Sequence, residues 1–140
     1  MILLDTNVVS ELQRPQPSAL VEKWLVTTGI GTTFICGPVL MEQAFGAERH
    51  LLKSGSSRYV KSLERLRGEY ANRILALNAI ACELAGRLRA KRESVGRPLS
   101  IGDAMIAAIC LVHGATLATR NVRDFDGLDL KLVNPFEAGA

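Results

Sequence analysis

The chain has 140 residues, 48% hydrophobic and 22% charged, which suits a single domain over residues 1–140 with one substantial core and excludes a disordered polyelectrolyte. No apolar run approaches the roughly 20 residues of a membrane span, and Met1-Ile2-Leu3-Leu4-Asp5 lacks the basic start and cleavage site of a secretion signal, so the expected compartment is cytoplasmic. The formal net charge of +3 permits a polyanionic partner without demanding one.

Strand and helix patterns alternate along the chain. Ile2–Leu4 reads as a strand, followed by helices over 6–13 and 17–28. Thr32–Cys36 is the second strand, and Pro38 opens a helix over 38–53, with another over 56–70. Ile74–Leu77 is a third strand. The helix over 78–94 shows Leu77, Ile80, Ala81, Leu84, Ala85 and Leu88 at helical spacing, until Gly96-Arg97-Pro98 stops the pattern. A helix over 102–113, a strand at Thr116–Thr119 and a short last strand near Lys131–Val133 complete the chain. Near-continuously apolar strands separated by helices indicate an α/β fold with a mostly parallel central sheet of four to five strands, covered on both faces.

Ligands of an open parallel sheet bind beyond the carboxyl ends of its strands. Asp5 directly follows the first strand, Glu42 lies in the opening turns of the helix after the second, and Asp124 follows Thr116–Thr119 by a few residues. Asp103 is the only charge between Ile101 and Val112, on a helix apolar enough to be buried, where an unpaired carboxylate is costly. Clustered carboxylates repel, and a hard divalent cation such as Mg²⁺ or Mn²⁺ reverses that penalty. His50 and His113 form no cluster with the cysteines, which argues against zinc. Cys36, Cys82 and Cys110 have no CxxC spacing and read as buried free thiols.

Each acid also has a plainer explanation. Asp5 would cap the first helix, Ser100-x-x-Asp103 fits a capping box, Asn121-x-x-Asp124 fits one loosely, and Glu42 suits a helix dipole. On the wheel of 38–53, Leu40, Ala44, Ala47 and Leu51 share an apolar arc widened by Met41, Phe45 and Leu52; Glu48 falls within it and Glu42 beyond its edge. Asn7, Ser10, Thr119 and Asn121 supply polar groups at the same sheet edge, as supports for carboxylates or as turn-formers. Arg120 and Arg123 flank Asp124, as phosphate contacts or as solvated turn residues. Residues 49–97 hold twelve of the seventeen Lys and Arg against four acids, most simply as solvated helix faces.

At four places the chain resembles the PIN-domain family, and within it the VapC toxins, including the FitB-like group. These are Leu4-Asp5-Thr6-Asn7-Val8-Val9-Ser10-Glu11-Leu12, then Pro38-Val39-Leu40-Met41-Glu42, then Pro98-Leu99-Ser100-Ile101-Gly102-Asp103-Ala104-Met105, and finally Leu117-Ala118-Thr119-Arg120-Asn121-Val122-Arg123-Asp124-Phe125 with Val133-Asn134-Pro135-Phe136. The resemblance implies a three-layer α/β/α sandwich and a Mg²⁺- or Mn²⁺-dependent endoribonuclease, the toxin of a VapBC-type pair. It implies metal-binding, catalytic acids at Asp5, Glu42, Asp103 and Asp124, with polar supports at Thr6, Asn7, Thr119 and Asn121. It further implies a homodimer silenced by a VapB-type antitoxin in a heterotetramer or larger assembly, contacting DNA only through that antitoxin.

Two rivals remain open at this level. An α/β phosphatase would use Asp5 as nucleophile, although Asn7 stands where such enzymes want a second Asp and Lys131 is the only late Lys. A non-catalytic PIN-like binding module is the other. Asp126 competes with Asp124 for the fourth acidic position, and the RNA, the number of metals and the dimer surface are not legible; the wide apolar arc of 38–53 is a candidate for the last.

Overall fold

The structure, a computed structural model, describes all 140 residues. Five strands, β1 (Ile2–Leu4), β2 (Thr33–Cys36), β3 (Ile74–Leu75), β4 (Thr116–Ala118) and β5 (Lys131–Val133), form one sheet in the order β3-β2-β1-β4-β5. Every pairing is parallel, with Ile2 opposite both Thr33 and Thr116, and Leu117 opposite Leu132. Six helices carry the connections: α1 (Thr6–Leu12), α2 (Ala19–Thr28), α3 (Gly37–Ser54), α4 (Arg58–Glu69), α5 (Ala79–Ser94) and α6 (Ile101–His113).

Successive strand residues face opposite sides of a sheet. Leu3 and Leu4, Ile35 and Cys36, and Leu117 and Ala118 are all fully buried, so both faces are covered, as parallel sheets require. The α6 residues Ala104 and Ile106–Cys110 supply much of the core, and α5 packs along α6 through Ala81, Ala85 and Leu88. The chain first builds β1, β2 and β3 outward in one direction, then returns to place β4 on the other side of β1. That reversal puts the topological switch point between β1 and β4.

Element boundaries depart from the sequence pattern where local turns intervene. Thr32 closes a 3-10 turn (Ile30–Thr32) and leaves β2 to begin at Thr33. β3 is an edge strand with one partner and stops at Leu75, after which Asn78 caps α5 by accepting the Ala81 amide at 2.9 Å. Only a 3-10 turn, Val122–Phe125, joins β4 to β5.

Burial along α3 runs against its helical periodicity. Met41, Phe45 and Leu52, from the apolar arc, are 58%, 63% and 77% exposed, whereas Glu42 is half-buried and Glu48 exposed. The first turns of α3 touch α6, so its neighbours, rather than its own hydrophobic stripe, decide which side is covered. Cys36 and Cys110 are buried as expected, but Cys82 is exposed on α5. No helix is long and apolar enough to cross a membrane.

Candidate active site

Asp5 stands at the carboxyl end of β1, where its amide extends the β1–β4 ladder by donating to the Ala118 carbonyl at 2.9 Å. Its side chain is 4% exposed and has three donors. The Thr6 amide donates to Oδ1 at 2.8 Å, so Asp5 does cap α1. The Thr119 hydroxyl donates to Oδ2 at 2.7 Å and the side-chain Nδ2 of Asn7 to the same oxygen at 3.2 Å. Asn7 Oδ1 in turn accepts the Arg120 amide at 3.1 Å, and Thr119 Oγ1 accepts the Asn121 amide at 3.0 Å. Asn7 and Thr119 thus tie the end of β1 to the turn after β4. Asn121 takes part through its backbone, and the Thr6 hydroxyl is buried without a partner.

The other acids come to this edge from separate elements. Asp103 lies in the first turn of α6, half-buried, with its amide bonded to Ser100 Oγ at 3.1 Å. The helix cap is made by Asp103's backbone amide on Ser100 Oγ. Glu42 stands close enough to the start of α6 that a Cβ on Gly102 would lie 3.1 Å from Glu42 Oε1, so a glycine permits this approach. Asp124 sits exposed in the 3-10 turn after β4.

Electrostatics shows that the four acids share one neighbourhood. Burial raises the Asp5 carboxyl above its ordinary value, partly opposed by Thr119 and Thr6, while the charge of Glu42 adds to the rise. Burial also raises Asp103, then the charge of Asp5, with Ser100 opposing and Asp124 and Glu42 adding. Of the acids in the turn after β4, Asp124 is the one whose charge adds to the rise at Asp103, after that of Asp5. Two buried thiols feel the same surroundings: Cys36 is pushed up to about 12 by burial and by the charges of Asp5 and Glu42, and Cys110 to about 12 chiefly by burial.

No three of the carboxylates are as close together as direct ligands of one ion would be. An oxygen-only donor set with this spacing suits a cation such as Mg²⁺, which keeps several of its waters and takes only one or two carboxylates directly. Neither histidine joins the group, which leaves zinc without its usual ligands.

Arg120 lies at the rim, its guanidinium 4.2 Å from the ring centroid of Phe136. Arg123 is exposed, and its carbonyl accepts from Arg97 at 3.4 Å. Ser10 accepts from Gln43 at 2.9 Å, which links α1 to α3. Lys131 begins β5 opposite Thr116, at the amino end of the sheet, and cannot assist Asp5 at the carboxyl end.

Two contributors have no role assigned by the sequence pattern. Gly102, inside the third motif, is one. The other is Arg92, only 8% exposed on α5, which donates to the carbonyls of Arg97, Asp124 and Asp126 at 2.9, 3.1 and 3.3 Å. A charged residue continuing the buried stripe of Ala81, Ala85 and Leu88 was the available signal.

A carboxylate-lined carboxyl edge at the switch point of a parallel sheet defines an α/β protein with an acidic candidate site where such folds bind their ligands. The chain belongs to the PIN-domain family, whose family model matches residues 2–130. It is 34% identical over 139 residues to the plasmid stability protein StbB of Pseudomonas syringae pv. tomato, which covers 99% of this chain and 100% of that one. It is 32% identical over 141 residues to the VapC ribonuclease Y4jK of Sinorhizobium fredii, covering 98% and 99%. Among solved structures, FitAB bound to an IR36 DNA fragment superposes with a TM-score of 0.88 at 30% identity, covering 100% of this chain and 99% of that one.

Proposed function

We propose that this chain is a Mg²⁺- or Mn²⁺-dependent endoribonuclease, the toxin of a VapBC-type toxin–antitoxin pair. The observation that carries it is the gathering of Asp5, Glu42, Asp103 and Asp124 at one sheet edge, where burial and the neighbouring charges raise the carboxyls of Asp5 and Asp103, a penalty that a bound cation would relieve. The buried, unpartnered Thr6 hydroxyl beside Asp5 fits the same picture, as a group awaiting an ordered water. Similarity to a VapC ribonuclease points to RNA as the polymer.

In this reading Asp5, Glu42, Asp103 and Asp124 hold the metal and its waters. A bound ion would supply an activated water and neutralise charge on the phosphoryl oxygens. Thr119 and Asn7 fix Oδ2 of Asp5 so that the carboxylate cannot rotate away from the site. Thr6 supports Asp5 through its backbone amide, and Asn121 holds the Thr119 hydroxyl from behind through its own amide. Arg120, braced on Phe136, is placed to meet a phosphate, and Arg123 stands next to Asp124 for the same purpose.

The assembly proposed is a homodimer bound by a VapB-type antitoxin that reaches the acidic site, in a heterotetramer or larger complex acting in the cytoplasm. DNA is contacted through the antitoxin alone; the likeness to FitAB on a DNA fragment supports this arrangement.

The deciding experiment compares wild type with Asp5→Asn and Asp103→Asn on single-stranded RNA in Mn²⁺, with Mn²⁺ binding followed by electron paramagnetic resonance and folding by circular dichroism. Both variants are expected to fold, to bind Mn²⁺ more weakly and to lose cutting. Undiminished cutting by both would falsify the proposal.

A further inference from the structure

A cleft of about 960 Å³ lies between α1, α3 and the start of α4, with Glu42, one of the four site acids, in its wall. One end holds Thr6, Asn7 and Glu42; the other is lined by Phe45, Arg49, His50, Lys53 and Tyr59, with Arg120 at the rim. Glu42, Arg49 and Lys53 are seven and four residues apart on α3, which places them along one side of the helix. With a rise of 1.5 Å per residue, Arg49 is roughly 10 Å and Lys53 roughly 16 Å beyond Glu42 along the axis.

The far end of the cleft is cationic and has no internal neutraliser. Arg49 and Lys53 have no carboxylate partner; the chain's single ion pair joins Arg14 to Glu11. Aromatic rings are interleaved with these charges. Phe45 is 63% exposed with the Arg49 guanidinium 5.0 Å from its centroid, and Tyr59 meets His50 edge-on at 4.9 Å. Solvation alone would explain surface cations. It does not explain an exposed phenyl ring and a tyrosine held among them on the wall of a cleft that Glu42 also lines.

Cations that follow a backbone, alternating with rings on which unpaired bases stack, make up a surface for single-stranded nucleic acid. Resting on the reading that the acidic site acts on RNA, we propose that this end of the cleft is the track along which an unpaired RNA strand enters that site. Arg49 and Lys53 take consecutive phosphates, while Phe45 and Tyr59 offer stacking faces. Duplex RNA, with its bases already stacked, cannot use the rings.

The test uses the full chain and a fluorescein-labelled single-stranded RNA dodecamer, with binding followed by anisotropy in EDTA so that nothing is cut. Arg49→Gln/Lys53→Gln is expected to weaken binding at least tenfold and to lower the slope of log K against log salt by about 1.4, the value for two phosphate contacts on a single strand. Phe45→Ala/Tyr59→Ala is expected to weaken binding by about tenfold with the salt slope kept. The same dodecamer annealed to its complement is expected to bind at least tenfold more weakly. Unchanged affinity and slope in the charge variant, or duplex binding as tight as single-strand binding, overturns the proposal. A charge variant that binds RNA normally yet fails to form a complex with the antitoxin would assign the cleft to a protein partner and overturn it too. A track confirmed by binding in a protein that cuts nothing would sink the nuclease reading alone; cutting that ignores Arg49 and Lys53 would sink the track alone.

Discussion

The hydroxyl of Thr119 donates to Oδ2 of Asp5 at 2.7 Å, across 114 positions of sequence and inside the protein. It joins the ends of β1 and β4, the two strands between which the sheet reverses its order. The same oxygen of Thr119 accepts the Asn121 amide, so one hydroxyl orients the acid and shapes the turn leading to Asp124.

Thr119→Val keeps the shape of that side chain and removes both bonds, together with the one that Thr119 Oγ1 accepts from Asn7 Nδ2 at 3.3 Å. The buried Asp5 carboxylate then loses its shortest donor, at a cost of about 1–3 kcal/mol. Urea unfolding is expected to show this loss, together with reduced cutting, and Thr119→Ser is expected to recover most of both. A valine variant as active as wild type would remove Thr119 from the site.

Gly102→Ala separates folding from function. The added methyl meets the far end of a flexible Glu42 side chain, which can move by a few tenths of an ångström, and alanine is the better helix former. Stability is expected within about 1 kcal/mol of wild type. Cutting is expected to fall about tenfold as Glu42 is displaced. Equal activity in the two proteins would show that Glu42 does not need its present position.

Arg92→Met leaves carbonyls of Arg97, Asp124 and Asp126 without their donor and lets the turn after β4 relax. The expected cost in urea unfolding is about 2 kcal/mol or more. Apparent Mn²⁺ affinity is expected to fall about tenfold, because the variant acts on Asp124 through its support. Arg92→Lys cannot reproduce the planar fork and is expected to rescue only part. Lost stability with unaltered Mn²⁺ affinity would make Arg92 a purely structural residue.

The raised carboxyls of Asp5 and Asp103 set a pH dependence for the metal-free protein. Between their unfolded value of 3.8 and their higher folded values, the folded chain keeps protons that the unfolded chain has released. Stability from these groups therefore falls as pH rises through that window. Thermal melts in EDTA are expected to show Asp5→Asn and Asp103→Asn gaining on wild type towards neutral pH, with Mn²⁺ raising the wild-type midpoint there. Parallel pH profiles for all three proteins would count against a shared carboxylate field.

The alternation of strands and helices was legible in the sequence because hydrophobic period, capping residues and glycine or proline stops are local properties. So was the placing of Asp5 after β1 and Asp103 on an apolar helix. Periodicity favoured Glu48 over Glu42, since a helical wheel contains only one helix; the contact of α3 with α6 decided the reverse. Asp124 and Asp126 are two residues apart in the chain, and the family motif falls on Asp124 with Asp126 as a competing neighbour. The turn that carries both acids is shaped by Arg92, which donates to both their carbonyls from a helix more than thirty residues earlier, a contact no local pattern reveals. The strand order, and with it the bond from Thr119 to Asp5, was likewise a matter of tertiary structure. Sequence determined which segments were strands and what followed each, whereas the packing of helices on both faces determined which strand ends became neighbours.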